Sequence, residues 1–532
     1  MTVPDHRTQH WRVEKPAASG RRGMVVSQSH DAALAGIAML DAGGTAADAA
    51  VATALALAAT EPWNSGLGGI GFALIHPAGQ PRATTIDFGP RAPAKLSPDR
   101  FPLTGGTAAD LFAWPEVVGD ANVHGPLSVV IPSAVAGYRL MHERYGRLPL
   151  RDVVAPAVAL ARRGLAQDWF TTLKIANAAA TLRLYSESAR VYLPGGLPPV
   201  PPYQGLPRFM PLGHLADTLE RLAHAGWADF YTGDIAASLA ADVATMGGVL
   251  DGTDLAGCMA LAGPAQDVPW PGRHRPGAVL QVAPGLTAGP TLADVIAHLP
   301  ATAVPATAVP ATAVPAAAVP DAAWFAGLAQ ALLGAYARRL NPETGDTCTS
   351  HLTVCDAAGT MVSMTTTLLS SMGSRTVLPG TGVLMNNGVM WFDPRPGTAN
   401  SIGPGARPLC NMCPVILRDG DVPVLAAGAS GGRRILAAVA QTVAFVHAFG
   451  LDPASAAHHP RIDVSGTPII TADDRLPPAV LDALRGVGPV ETVEHGVLPV
   501  NFACPNLIAV EAGVRTGISD VMSPWSAAVA QA

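Results

Sequence analysis

The stretch that most restricts this chain lies between residues 346 and 368. Two runs of strand-forming residues, 351–356 and 360–368, flank Ala357-Ala358-Gly359, a pattern that predicts an antiparallel hairpin. The first strand opens on Thr349-Ser350-His351, directly after Cys348, and the second carries Thr365-Thr366-Thr367. A threonine hydroxyl is a poor nucleophile unless a base stands beside it. Cutting the chain before Thr349 would turn that residue's own α-amine into the base. A free α-amine titrates at roughly 7.7–8.0, which suits a general base. Taken alone, a Thr-Ser-His triplet at the head of a strand is only the head of a strand, so the rest of the chain has to decide.

A chain of 532 residues is too long for one simple core and predicts one large α/β unit or a few closely packed lobes. With 34 Lys+Arg against 40 Asp+Glu, its formal charge of −6 gives no reason to expect nucleic acid or an anionic membrane as partner. Residues 1–22 are polar and contain no apolar run of signal-peptide length. The most apolar early segment, 46–60, contains Asp48 and is too short to span a bilayer. A soluble, unexported, cytoplasmic protein is the expectation. The six cysteines form no disulfide framework. Cys410 and Cys413 make one CxxC without the second pair or histidine pair that a zinc site needs, so neither metal nor cofactor is expected.

Read in order, strands are expected at 23–26, 70–75, 84–88 and 122–132. Helices are expected at 30–40, 46–60, 134–145, 153–163, 212–225 and 236–245. The glycines of 66–71 lead into a strand rather than a helix, and no Gly-Lys-Ser/Thr follows. They read as close backbone packing rather than a phosphate loop. Arg91, between Pro90 and Pro93 just past a strand, is placed to present a fixed guanidinium, with a solvated loop arginine as the alternative. From 301 to 320 the repeat Ala-Thr-Ala-Val-Pro excludes helix and predicts a partly extended insertion. A helix at 322–340 follows. Beyond the hairpin, short strands are expected at 383–385, 415–418 and 422–427, and a helix at 435–449. Between the last strand and that helix lie Ser430, Gly431 and Gly432, where backbone N–H groups could form an oxyanion hole.

These motifs occur in the order found in the γ-glutamyltranspeptidase family of N-terminal-nucleophile hydrolases, which the chain resembles over nearly its whole length. The resemblance is carried by Gly23-Met24-Val25, residues 41–50, Gly66 to Phe72, Val135-Ala136-Gly137, Tyr145-Gly146, Ala155-Pro156-Ala157, Gly247-Gly248, Thr349-Ser350-His351, Asn386-Asn387, Arg407-Pro408-Leu409 and Gly431-Gly432. It implies an α+β fold, a four-layer αββα sandwich autoprocessed between Cys348 and Thr349. The large subunit 1–348, with its polar tail 1–22, and the small subunit 349–532 would stay packed as one unit. It leaves open whether such units pair into dimers. Thr349 would be the nucleophile and N-terminal base, Thr367 the hydroxyl that activates it, and Gly431 and Gly432 the oxyanion hole. The substrates implied are a small-molecule amide and a water or amine acceptor.

The departures concern the acyl pocket. The family arginine after Asp-Phe is here Gly89, with Arg91 the nearest arginine in sequence. The serine pair after Arg-Pro-Leu is Cys410 and Asn411, and the polar residues that hold an α-amine are replaced by Leu369, Gly388 and Trp391. An ammonium buried there without a carboxylate would cost several kcal/mol, of which a cation–π contact with Trp391 recovers about 1–2 kcal/mol. A short dicarboxylate half-amide or a larger acyl chain is therefore expected in place of a γ-glutamyl group. The alternatives are a genuine γ-glutamyl hydrolase or transpeptidase acting on glutathione-like donors and an unprocessed, non-catalytic scaffold. Arg91, Asn387, Trp391, Cys410, Asn411 and Ser430 are the candidate substrate contacts, with Arg375 secondary. His351 should face the same side as Thr349 and is read as a structural hydrogen-bonding residue.

Overall fold

The computed structural model describes residues 13–108, 114–271, 277–299, 319–339, 348–465 and 468–532. The repeat up to residue 318 and the approach to the expected cut, 340–347, lie outside these. Two seven-stranded antiparallel sheets dominate. In chain order their strands are β1 (Ala18–Gly20), β2 (Met24–Ser27), β3 (Ile70–His76), β4 (Thr84–Phe88), β5 (Leu261–Pro264), β6 (Gln266–Pro269) and β7 (Val279–Val282). They continue with β8 (Cys348–Cys355), β9 (Met361–Leu369), β10 (Val415–Asp419), β11 (Val422–Ser430), β12 (Cys504–Glu511), β13 (Val514–Ser519) and β14 (Ala527–Ala530). One sheet runs β14-β2-β8-β9-β3-β4-β5 and the other β1-β13-β12-β11-β10-β7-β6. The expected hairpin, β8–β9, lies at the centre of the first. Residues 13–22, grouped in sequence with the polar tail, include β1, which pairs with β13.

Alternation along the strands sorts their side chains. Leu352, Val354, Val362 and Met364 share a buried apolar cluster with α1 (His30–Asp41), α2 (Ala46–Thr60), α3 (Ala134–Tyr145) and α4 (Leu150–Arg163). On the opposite face Met24, Val26, Leu74, Cys355 and Met361 meet Ile416, Ala426 and Ile508 of the second sheet. The far side of that sheet, including Val415, Leu417, Leu425 and Leu507, packs with α5 (Gly289–His298), α6 (Ala322–Arg338) and α7 (Ile435–His447). Alanine makes this close packing feasible: α2 is buried along almost its entire length. Asp48, the one charge in that helix, completes a capping box with Thr45 and accepts the Arg147 N–H at 3.0 Å. No helix among the described residues is long and apolar enough to cross a membrane.

Two expected strands are not formed. Residues 122–132 run through a turn and the short 3-10 helix Pro126–Ser128, entered at Gly125 with φ of 88°. Val130 does find strand-like partners, but they belong to a side chain. Asn386 accepts its N–H and donates to its carbonyl, each at 3.0 Å. Residues 383–385 make only isolated bridges, Leu384 to Val377 and Met385 to Gly68. The glycines of 66–71 do allow close backbone approach. A Cβ on Gly68 would lie 2.2 Å from Leu384 O, and one on Gly71 2.2 Å from Thr365 O.

The sheets also meet through polar groups. His351, fully buried, bonds through Nδ1 to Thr365 Oγ1 at 2.8 Å, and its carbonyl accepts Asn506 Nδ2 at 2.7 Å from the other sheet. Burial pushes its imidazole down to about 3, so the ring is neutral at working pH. Its flat face occupies the space that a side chain at residue 428 would need: a Cβ there would stand 2.1 Å from His351 Cε1. Gly428→Ala is therefore expected to cost about 1–3 kcal/mol by overpacking. Chemical denaturation would read this as a lower midpoint, and an unchanged midpoint would show that the sheets part easily.

Candidate active site

Irregular pairing builds the site. β8 and β9 are in one register from Ser350↔Thr366 to Cys355↔Met361, but Cys348 pairs with Leu369, so β9 has one extra residue opposite Thr349. Such a bulge bends its strand and re-aims side chains. The Ser350↔Thr366 register already sets Thr349 opposite Thr367. Next to the bulge the Thr349 hydroxyl donates to Thr367 Oγ1 at 3.3 Å, while Thr367 Oγ1 also accepts the Leu369 N–H at 2.8 Å. Leu369 takes φ of 86°, a left-handed conformation unusual for a branched apolar residue. Thr349, 4% exposed, is on the same side of the strand as His351 and faces the second sheet.

Ser350 points the other way, towards α2. Its hydroxyl accepts from Ser65 Oγ at 2.9 Å and donates to Glu61 Oε2 at 2.6 Å. Glu61 ends α2 and is buried, which pushes its carboxyl up to about 7 against the bond from Ser350 that favours ionisation. Sequence reading passed over Glu61 and Ser65 because they lie in a stretch whose glycines dominated it.

Gly431 and Gly432 follow β11, with φ of 130° and 63°. A Cβ at Gly431 would stand 2.8 Å from Ala503 Cα, so both conformation and space require glycine there. Gly432 opens a 3-10 turn that runs into α7, where the first N–H groups have no partner within the helix. Ser430, the last residue of β11, pairs with Cys504 on β12.

Leu369, Trp391 and Cys410 belong to one buried apolar cluster that also contains Phe72, Met390 and Met412. Trp391 Nε1–H is buried in it without a partner, a state that normally costs about 1–3 kcal/mol. Asn387 is fully buried, and both ends of its amide are engaged internally. Oδ1 accepts the Ser370 N–H at 3.1 Å, and Nδ2 donates to Val123 O at 2.7 Å and Ser370 Oγ at 2.8 Å. Asn411 Oδ1 accepts from Arg339 at 3.2 Å. Arg375 Nη1 bonds to Ser370 Oγ at 2.7 Å.

Arg91 is exposed and donates to Gly405 O at 3.3 Å. Another arginine occupies the space beside Gly89. Arg407 Nη2 would lie 2.8 Å from a Cβ on Gly89; it donates to Asp87 Oδ1 at 2.6 Å, while Nε reaches Pro90 O at 3.4 Å. Thr367 pairs with Ile70, and the Gly71↔Phe88 pair puts Gly89 next in the same row. Two strand spacings separate Thr367 from Gly89, about 10 Å. Arg407 was legible in sequence only as part of Arg-Pro-Leu; a guanidinium supplied from 318 positions away, by an arginine in the volume of a missing side chain, has no local signal. Among the described residues no cluster of three His, Cys, Asp or Glu is arranged to hold a metal.

A family model described as Gamma-glutamyltranspeptidase matches residues 32–302 and 321–525. The Acylase ACY 1 proenzyme of Pseudomonas sp. (strain SE83) is 30% identical over 520 residues, covering 91% of this chain and 90% of its own. The Glutathione hydrolase proenzyme of Bacillus subtilis (strain 168) is 27% identical over 552 residues, covering 94% and 90%. The crystal structure of cephalosporin acylase from Bacillus halodurans superposes with a TM-score of 0.80 over 99% of both chains at 22% identity, a likeness of fold.

Glu61 provides a test of site burial. Its folded carboxyl keeps its proton to about pH 7, against an ordinary value of 4.5. The associated stability is whole below the ordinary value and declines as pH rises through the folded one. Glu61→Gln removes that decline, so its melting temperature relative to the parent should rise between about pH 5 and pH 8. Parallel curves across that range would mean that Glu61 is ionised throughout.

Proposed function

The chain belongs to the γ-glutamyltranspeptidase family, and from that footing we propose that it is an autoprocessing amidohydrolase or acyltransferase with Thr349 as N-terminal nucleophile. Its two sheets and the helices outside them are read as the four layers of an αββα sandwich, supported by separate helix–sheet, sheet–sheet and sheet–helix apolar clusters. The observation that carries the reading is the Thr349–Thr367 hydroxyl contact at a bulge, with both side chains on the face towards the second sheet. Curated relatives of nearly full coverage are named proenzymes, which supports the processing step.

In the precursor, Thr349 Oγ1 attacks the Cys348 carbonyl, and the peptide bond is exchanged for an ester. Water cleaves the ester, leaving a carboxylate on Cys348 and a free α-amine on Thr349. In the mature enzyme that amine takes the Oγ1 proton as the oxygen attacks a substrate amide. The N–H groups of Gly431 and Gly432 take the charge of the tetrahedral oxyanion. The leaving amine receives the proton, and water or a second amine resolves the acyl-Thr349 ester.

For the acyl group, Leu369, Gly388 and Trp391 stand where the family pattern has the polar residues for an α-ammonium. Leu369 and Trp391 lie with Cys410 in an apolar cluster, while the buried Asp393 nearby is paired with Arg395. This favours an acyl group lacking an α-ammonium, as in an acylase-type substrate or a dicarboxylate half-amide. A carboxylate at the far end of such a group would meet Arg407 rather than the exposed Arg91. Arg407 also favours a second reading, a γ-glutamyl donor held by its carboxylate alone.

Thr349→Ala is expected to give one uncut, inactive polypeptide on denaturing electrophoresis where the parent gives two, and terminal sequencing of the shorter parent chain should begin at Thr349. Thr367→Ala should lower kcat by roughly 10²-fold, the size of losing one contact to the reacting oxygen. Simple acyl anilides should turn over faster than γ-glutamyl anilide; the reverse order would return the glutamate reading.

Arg407→Gln should lower kcat/KM for a glutaryl anilide by about tenfold or more relative to a neutral acyl anilide, and Arg91→Gln should not. Equal losses on both donors in Arg407→Gln would assign Arg407 to structure alone.

A further inference from the structure

Beneath the nucleophile's strand is a buried carboxyl that the acyl-transfer steps do not use. Glu61 begins a loop, residues 61–69, that holds both threonine-bearing strands. On one side Glu61 and Ser65 engage Ser350, the residue after Thr349. On the other, Asn64 O accepts the N–H of Leu368, the residue after Thr367, at 2.8 Å, and Trp63 O accepts that of Met372 at 2.8 Å. One rigid turn therefore sets both neighbours of the Thr349–Thr367 pair. The charged and titratable groups that face Glu61 are Lys174 on the helix Trp169–Leu182 and Cys504 at the head of β12, whose buried thiol stays protonated.

We propose that Glu61, acting through Ser350, is a positioning residue for the N-terminal threonine, and that its carboxylate balances the α-ammonium formed at Thr349 when the chain is cut. The proposal rests on Thr349 being that N-terminus. The proposal has two consequences, the first resting on the observed hydrogen bonds. The Glu61–Ser350–Ser65 chain fixes the backbone on which Thr349 stands, so its loss loosens the attack geometry, which acts on kcat more than on KM. An ionised Glu61 favours the charged amine, and so delays release of the free base as pH rises. The two groups titrate as a coupled pair.

The test uses the full chain, with cleavage followed by electrophoresis and folding by thermal melting. It compares the parent, Glu61→Gln, Glu61→Asp, Ser350→Ala and Thr349→Ala on one neutral acyl anilide. In Glu61→Gln the acid limb of kcat/KM should move to lower pH by about one unit, and kcat should fall by about tenfold with KM little changed. Glu61→Asp keeps the charge and should leave the limb near the parent's while kcat falls. Ser350→Ala should lower kcat in enzyme that is still folded and cut at the assay temperature, and it carries the test if Glu61→Gln does not fold. A cut, folded Glu61→Gln with the parent's limb and kcat would overturn the proposal, as would a Ser350→Ala enzyme with the parent's kcat. Activity surviving in Thr349→Ala would instead overturn the N-terminal-nucleophile reading on which it stands.

Discussion

One hydroxyl contact across a strand pair, Thr349 to Thr367, anchors the candidate site. The register that runs from Cys355 to Ser350 sets Thr349 opposite Thr367, and β9 then gains one residue before Leu369 pairs with Cys348. Thr367 Oγ1 accepts from Thr349 Oγ1 and from the Leu369 N–H as well. The left-handed backbone at Leu369 accompanies the bulge. A leucine there is held in a conformation that asparagine or glycine adopts more readily, so packing of its side chain in the cluster with Trp391 must offset the strain.

The bulge keeps its shape because both sides are tied down. The turn after α2 engages Ser350 and Leu368 from the helix side. On the other face His351 fills the space left by Gly428, and Asn506 binds its carbonyl. Neutral histidine suits this role: its ring bonds to Thr365 Oγ1 of the neighbouring strand while it fills the interface, without a charge to be desolvated. Two threonines in a sheet centre acquire defined rotamers from such surroundings, the condition that the proposed nucleophile requires.

On the proposed reading, chemistry and specificity fall to different parts of the same row of strands. The threonine pair occupies β8 and β9, whereas the Asp87–Arg407 ion pair stands two strands further on, beside Gly89. Half-burial and a shared hydrogen bond make that pair geometrically defined, though its Coulomb energy is modest at such exposure. Between them lies apolar surface. A family architecture can thus keep its acyl-transfer centre while the pocket's polarity is rewritten by a few side chains.

Local pattern made much of this legible. The helices 46–60 and 134–145 and the strand 84–88 have the bounds expected from the sequence. The hairpin was readable from period-two alternation, and the order of motifs identified the family. The strand expected at 122–132 was not formed, because a side-chain amide of Asn386 supplied the bonds that a neighbouring strand would have made. What the sequence by itself determined was the set of elements and the residue types able to do acyl transfer, since both follow from contacts between near neighbours along the chain. Only the tertiary structure decided which carboxyl lies under Thr349, which arginine fills the space beside Gly89, and where β9 gains its extra residue. Those depend on distances between segments tens to hundreds of residues apart, which no local periodicity records.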